Sequence, residues 1–295
     1  MWVSKLVKII LLACVFLPGK SFAQDAFPLH AKLDEALMEV KPMHWLDQKF
    51  DLTRYKAQLP DIFQGMSDNV IEDRGLSLET FFNKLRSNKV GTLNDSVRVL
   101  HVGDSHIRGH FFTKSIGDKL SSAFSALVYD DFGINGAVAK TFNRLDRIEK
   151  IKNYHPDLLI LSFGTNESHN RKYNEKIHYA QLDDLVTTLR QELPNTPILL
   201  TTPPGSYERK ARRVYKANPR TIKAVELIKE YAAENDMAYW DMYSVVGGKQ
   251  HACDNWSKAK LMRPDHIHYL PEGYELQADL FCEAIIKAYN EYITL

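Results

Sequence analysis

The chain has 295 residues, with 38 Lys and Arg against 37 Asp and Glu, for a net charge of +1. That near balance excludes a global attraction to nucleic acid or to an anionic membrane. A hydrophobic fraction of 44% can bury a full core, and three cysteines are too few for a disulfide-built scaffold.

In chain order, Lys5 and Lys8 precede an apolar run from Ile9 to Pro18, and Ser21-Phe22-Ala23 sets small residues at −3 and −1. This predicts a signal peptide over residues 1–23, cut after Ala23 and too short to anchor as a membrane span. A rival reading takes Leu11-Leu12-Ala13-Cys14 as a lipoprotein box, at the expense of a shorter apolar core. No later segment approaches a membrane span, so the expectation is an exported, periplasmic or secreted protein. Residues 1–23 carry three lysines and no acid; without them 35 bases face 37 acids, a net of −2. Cys253 and Cys282 could pair in an oxidising compartment, but two scattered thiols are no disulfide framework and, with Cys282 on an apolar helix face, they are expected as buried free thiols.

Residues 24–95 mix aromatics, prolines and charges without sustained period and are expected to form an extension packed on the core. Ser77 heads a helix carrying Phe81, Phe82 and Leu85. From Ser96 to the end, strands alternate with helices. Strands are predicted at 97–102, 126–130, 158–163, 197–202 and 237–241, and helical spacing runs through 177–193 and 272–293. Near-continuous apolar strands such as Leu158-Leu159-Ile160-Leu161 require burial on both faces, hence a five-stranded parallel sheet between two helix layers. A basic cluster at Arg209-Lys210-Ala211-Arg212-Arg213, continuing to Lys216, Arg220 and Lys223, reads either as a solvated face or as a grip on an anionic polymer.

Ligands in such sheets bind at the carboxyl ends of strands, and the polar motifs fall there. Gly103-Asp104-Ser105-His106 follows the first strand directly. A serine at such a corner sits where a helix N-terminus favours negative charge, although Asp104 and Ser105 could equally be a plain helix cap. Its hydroxyl needs a base. Asp265 and His268, three apart in a loop before the last helix, can supply an imidazole oriented by a carboxylate; the rival pairs are His266 with Asp265 and His251 with Asp254. Phe132-Gly133-Ile134-Asn135-Gly136-Ala137 after the second strand and Phe163-Gly164-Thr165-Asn166-Glu167 after the third offer the Gly136 N–H and the Asn166 amide. With the Ser105 N–H they make three donors for an oxyanion, with Gly133 a turn residue. His266 and His268 lack partners for a metal site. Among the flanking histidines, His101 inside its strand reads as a core residue. His106 and His110 share a helix face and fit the pocket rim, and His169 is placed to touch substrate. Trp256 and Tyr207, read as loop residues, could stack on a sugar or simply pack.

These segments, in this order, resemble the four blocks of the SGNH (GDSL-like) hydrolase superfamily over roughly residues 96–292. The resemblance implies a flavodoxin-like α/β/α fold and cofactor-free, metal-free ester hydrolysis. It makes Ser105 the nucleophile, His268 the base, Asp265 its orienting acid, and Ser105, Gly136 and Asn166 the oxyanion hole. Trp240-Asp241-Met242, Gly247-Gly248 and Glu272-Gly273-Tyr274 extend the likeness to bacterial peptidoglycan O-acetylesterases, which deacetylate the 6-hydroxyl of N-acetylmuramic acid in the periplasm. The chain departs from some relatives in one respect. Spacings of 31 residues from Ser105 to Gly136 and 30 on to Asn166 leave no room for an inserted carbohydrate-binding module. The expected partner is therefore an O-acetylated polysaccharide, with no nucleic acid and no membrane span. The alternatives are another carbohydrate acetylesterase, a short-chain lipase, lysophospholipase or thioesterase, an acetyl transferase, and a non-catalytic glycan-binding protein.

Overall fold

A computed structural model describes residues 49–91, 95–124 and 126–295. The predicted signal peptide, the Cys14 alternative and residues 24–48 of the extension lie outside the described residues.

Five strands run parallel: β2 (Val97–Gly103), β3 (Leu127–Gly133), β4 (Leu158–Ser162), β5 (Ile198–Thr201) and β8 (Ala238–Trp240). All five were predicted within a few residues of these bounds. A sixth, β1 (Ile71–Glu72), closes the edge antiparallel to β8, giving the order β1-β8-β5-β4-β2-β3. Two residues of strand from an aperiodic segment leave too little pattern to read from sequence.

Alternation along the strands sends side chains into two cores. On one face Val97, Val99, Leu158, Ile160, Leu199 and Trp240 pack under α1 (Glu79–Lys89), α3 (Phe111–Ala123) and the long α11 (Pro271–Tyr292). On the other, Leu100, Val102, Leu159, Leu161 and Leu200 meet α5 (Leu145–Tyr154), α7 (Glu175–Glu192) and α8 (Thr221–Glu234). The three-layer α/β/α architecture is thus the expected one.

The extension's described part lies along α11. The Asn290 side chain exchanges hydrogen bonds with the Phe50 backbone, and Asn69 joins the Leu280 carbonyl to the Trp240 indole. The start of α1 differs from expectation. Its N-cap is Leu78, and the Asp73 carboxylate accepts the N–H groups of Ser77 and Leu78. Ser77 turns its hydroxyl instead to Asp73 and to the Ala238 N–H of β8.

Chain direction sets the site. From β2 the chain passes through α2 (Ser105–Arg108) and α3 to β3 on one side, then returns through α4 (Ala139–Phe142) and α5 to β4 on the other. That reversal opens a crevice beyond the carboxyl ends of β2, β3 and β4. Ser105, Gly136 and Asn166 all follow those ends.

Candidate active site

Asp104 follows β2 directly as the N-cap of α2, its Oδ1 accepting the His106 N–H at 2.9 Å. The cap reading holds for Asp104 alone: Ser105 is the first helical residue, with its N–H in the unpaired first turn. Ser105 Oγ lies 2.8 Å from Nε2 of His268, and Nδ1 of His268 lies 2.9 Å from Oδ2 of Asp265. A carboxylate only accepts, so Nδ1 carries the proton and Nε2 is left to accept from the serine hydroxyl.

The carboxylate is itself fixed. Asp265 Oδ1 accepts the backbone N–H groups of Ile267 and His268, each at 2.9 Å. Partial burial alone would raise its pKa, but these two bonds and then the imidazole outweigh it and hold the carboxyl at about 2. Asp265 therefore stays ionised beside His268 at any ordinary pH.

The rival pairs do not form. His266 sits at φ +59°, its ring 4.1 Å from that of Tyr215, while Asp254 accepts from the Tyr207 hydroxyl and pairs with Lys258.

The second block is pressed against the first. Gly133 is the last residue of β3 rather than a turn residue. A Cβ there would come 2.1 Å from the Arg108 nitrogen in α2, so only glycine lets the end of β3 approach the nucleophile's helix. Gly136, at φ +72°, turns the loop with open space around it. In the third block, Asn166 Nδ2 donates to the Ala137 carbonyl at 2.9 Å and to Asp104 Oδ2 at 3.2 Å. Both amide protons are thus engaged within the protein, and the longer bond to Asp104 is the weaker one to share.

Sequence reading missed Glu167. Buried in α6 (Thr165–His169), it accepts the Ala139 N–H at 3.0 Å and the Gly164 N–H at 2.9 Å, so one carboxylate ties the second block to the third. Its place beside Asn166 in a polar loop reads as solvated, and nothing local marks it as buried. Burial raises its pKa. Burial, opposed by the His106 N–H and reinforced by the Glu167 charge, likewise lifts Asp104 to about 7.

The other histidines divide. His101 is fully buried between the Tyr129 hydroxyl (2.7 Å) and Ser162 Oγ (2.5 Å), a core residue as expected. His106, expected on a pocket rim, is buried as well. Its Nδ1 meets the Tyr274 hydroxyl at 2.9 Å and its ring lies 5.2 Å from that of His268. Burial, then the neighbouring His268, lowers its pKa to about 3. Its buried Nε2 has no hydrogen-bond partner. His110 does not share its helix: it adopts the left-handed conformation between α2 and α3.

His169 remains half-exposed, 2.8 Å from Ser206 Oγ, its pKa lowered by burial and then by Arg220. Trp256 is core, inside α10 (Gly248–Lys258), and Tyr207 opens a strand; neither is a loop residue. Cys253 and Cys282 are free and buried, burial pushing the Cys253 thiol to about 12. Among the described residues no cluster suits a metal ion, and no helix is long and apolar enough to cross a membrane.

The arrangement can deprotonate a hydroxyl, hold the resulting imidazolium against a carboxylate, and offer N–H groups to a developing oxyanion. The GDSL-like lipase/acylhydrolase family profile matches residues 101–276. No curated protein sequence matches the chain. Among solved structures, a peptidoglycan O-acetylesterase superposes with a TM-score of 0.67 at 16% identity, over 75% of this chain and 99% of that one. An acetyl xylan esterase gives 0.52 at 17%, over 64% and 100%. A GDSL-like lipase from Parabacteroides merdae gives 0.51 at 20%, over 65% and 96%. At these identities the likeness is one of fold.

Proposed function

The chain belongs to the GDSL-like lipase/acylhydrolase family and is a carboxylic ester hydrolase, and from that premise we propose that it removes O-acetyl groups from a cell-wall glycan, with the 6-hydroxyl of N-acetylmuramic acid in peptidoglycan as the acetylated position. The observation that carries the reading is the unbroken relay from Ser105 through His268 to Asp265. In this account Ser105 Oγ attacks the acetyl carbonyl while His268 Nε2 takes its proton. The tetrahedral oxyanion is held by the N–H groups of Ser105 and Gly136 and by the Asn166 amide, which shares the proton it gives to Asp104. The imidazolium, stabilised by ionised Asp265, then protonates the departing sugar oxygen. Water repeats the sequence on the acetyl-serine and releases acetate.

Two features favour a polar polymer over a lipid. A groove of about 620 Å³ begins at Gly109, immediately after the nucleophile's helix, and reaches Pro271 and Glu275 at the start of α11. Lys114, Asp118 and Lys119 line it beside the exposed ring of Phe111. A charged wall with one aromatic face suits a sugar chain better than an acyl tail. The leader-like residues 1–23 would bring the enzyme to such a substrate by export.

The test is acetate release from O-acetylated peptidoglycan beside acetylated xylan and an octanoyl ester. Faster release from peptidoglycan is expected. Preference for xylan would keep the chemistry and replace the glycan, and preference for octanoate would overturn the carbohydrate reading.

A further inference from the structure

Sequence periodicity gave no hint of a second, two-stranded sheet, β6 (Tyr207–Ala211) and β7 (Val214–Ala217), which leaves the main body between β5 and α8. The hairpin concentrates charge. Between residues 207 and 217 it holds Arg209, Lys210, Arg212, Arg213 and Lys216 against one acid, Glu208. Glu208 is already committed to Lys210 and, at 2.7 Å, to Arg220. Arg209, Arg212, Arg213 and Lys216 are exposed, and the Arg209 side chain bonds only a backbone carbonyl within the hairpin. Like charges crowded on a two-stranded arm repel one another and weaken it. The fold nevertheless spends many contacts on holding the arm in place.

Those contacts run to the catalytic loops. The Tyr207 N–H donates to the His266 carbonyl at 2.9 Å, and Tyr215 lies against the His266 ring, two residues before His268. Just before the hairpin, Ser206 Oγ meets His169 at 2.8 Å, and the Gly205 carbonyl accepts from the Tyr269 hydroxyl at 2.7 Å. Just after it, the Asn218 N–H returns to the Ser206 carbonyl. A basic arm is thus seated on the loop that carries the proposed base, beside the crevice where the ester must lie.

We propose that this hairpin is a binding arm for an acidic polysaccharide, its arginines pairing with carboxylates along the glycan while an acetyl group reaches Ser105. The inference deepens the reading above and rests on its premise that the substrate is a polymeric glycan. It adds the requirement for negative charge, which peptidoglycan meets through the carboxylates of its peptide side chains. It also supplies the polymer contact that the missing inserted module would otherwise provide.

The experiment measures retention of full-length Ser105→Ala protein on purified peptidoglycan and on the same material after its carboxylates are converted to amides, with polygalacturonate and RNA as further arms. Surface pairs are individually weak, so three of them compound to about a tenfold preference for native over amidated peptidoglycan. That preference should vanish at about 1 M salt, where the screening length is ~3 Å. Adding Arg209→Gln, Arg212→Gln and Arg213→Gln should remove the preference, and the three corresponding Lys substitutions should restore most of it, with thermal melts of all variants verifying the fold. Binding to native and amidated glycan that is measurable but equal, salt-independent binding, tighter hairpin-dependent binding to RNA, or no binding to either acidic glycan would overturn the proposal. Hairpin-dependent binding to polygalacturonate but not to peptidoglycan would sustain the acidic-glycan arm and sink the peptidoglycan reading instead.

Discussion

Two of the molecule's serine–histidine pairs have opposite fates. At the centre of the sheet His101 spans Ser162 and Tyr129, fully buried, and burial drives its pKa to about 3. At the sheet's edge His268 spans Ser105 and Asp265, partly open to solvent, with a carboxylate held ionised. The bonds are shorter at the inert pair, so closeness is not what separates them. What differs is the third partner and the surroundings. A phenol beside a fully buried ring offers no compensation for an imidazolium, so His101 stays neutral and Ser162, half-buried at the end of β4, remains a structural hydrogen-bond partner that also meets Thr201 at 2.6 Å. An ionised carboxylate at the crevice makes the imidazolium tolerable for the instant a reaction needs it. Residue type alone does not make a reactive serine.

The contrast can be broken from either side. Ser105→Ala should lower acetate release by at least about 10³-fold while leaving the melting temperature close to the parent's; stopped assays with a calorimetric scan read both. Asp265→Asn should come next. Its amide oxygen can still accept the Ile267 and His268 N–H groups, but the imidazole loses its fixed tautomer, so turnover should fall about 10³-fold with the fold intact. For Asn166→Ala the expectation is a loss of about 10²–10³ in kcat, with a smaller change in KM.

On the other side, Ser162→Ala should spare the chemistry of the folded enzyme. It strips the buried His101 and Thr201 of a partner and should cost about 1–3 kcal/mol of stability by denaturant unfolding. The smallest effect concerns acid. The His101 pKa is lower in the folded state than in the unfolded one, so its contribution to stability is complete above about 6.5 and is lost as pH falls towards 3. His106 and His178 shift in the same direction. A His101→Gln variant should therefore show a shallower acid limb in melts taken between those pH values, and an unchanged limb would remove His101 from the account.

Much of this was legible in the chain. Val97–Gly103 and Leu158–Ser162 announce a parallel sheet because burial on both faces demands unbroken apolar residues. The Ser105, Asp265 and His268 positions follow from motif order. The remainder was hidden for physical reasons. Glu167 and His106 are polar residues whose burial depends on distant segments, Ala139 and Tyr274, and no local pattern encodes that. Asn166 reads as a free amide until Asp104 and the Ala137 carbonyl are seen to occupy it. The basic hairpin escaped because its strands, largely exposed and charged, lack the alternation that marks a half-buried strand. Trp256 and Tyr207 read as loop residues, but one lies buried in a helix and the other opens a strand.

The most direct measurement is covalent labelling of the intact protein with a fluorophosphonate, followed by peptide mapping. The account predicts one adduct per molecule on the peptide bearing Ser105, formed much more slowly once His268 is replaced by Ala. An adduct on Ser162 or elsewhere, or labelling of Ser105 that ignores the loss of His268, would contradict it.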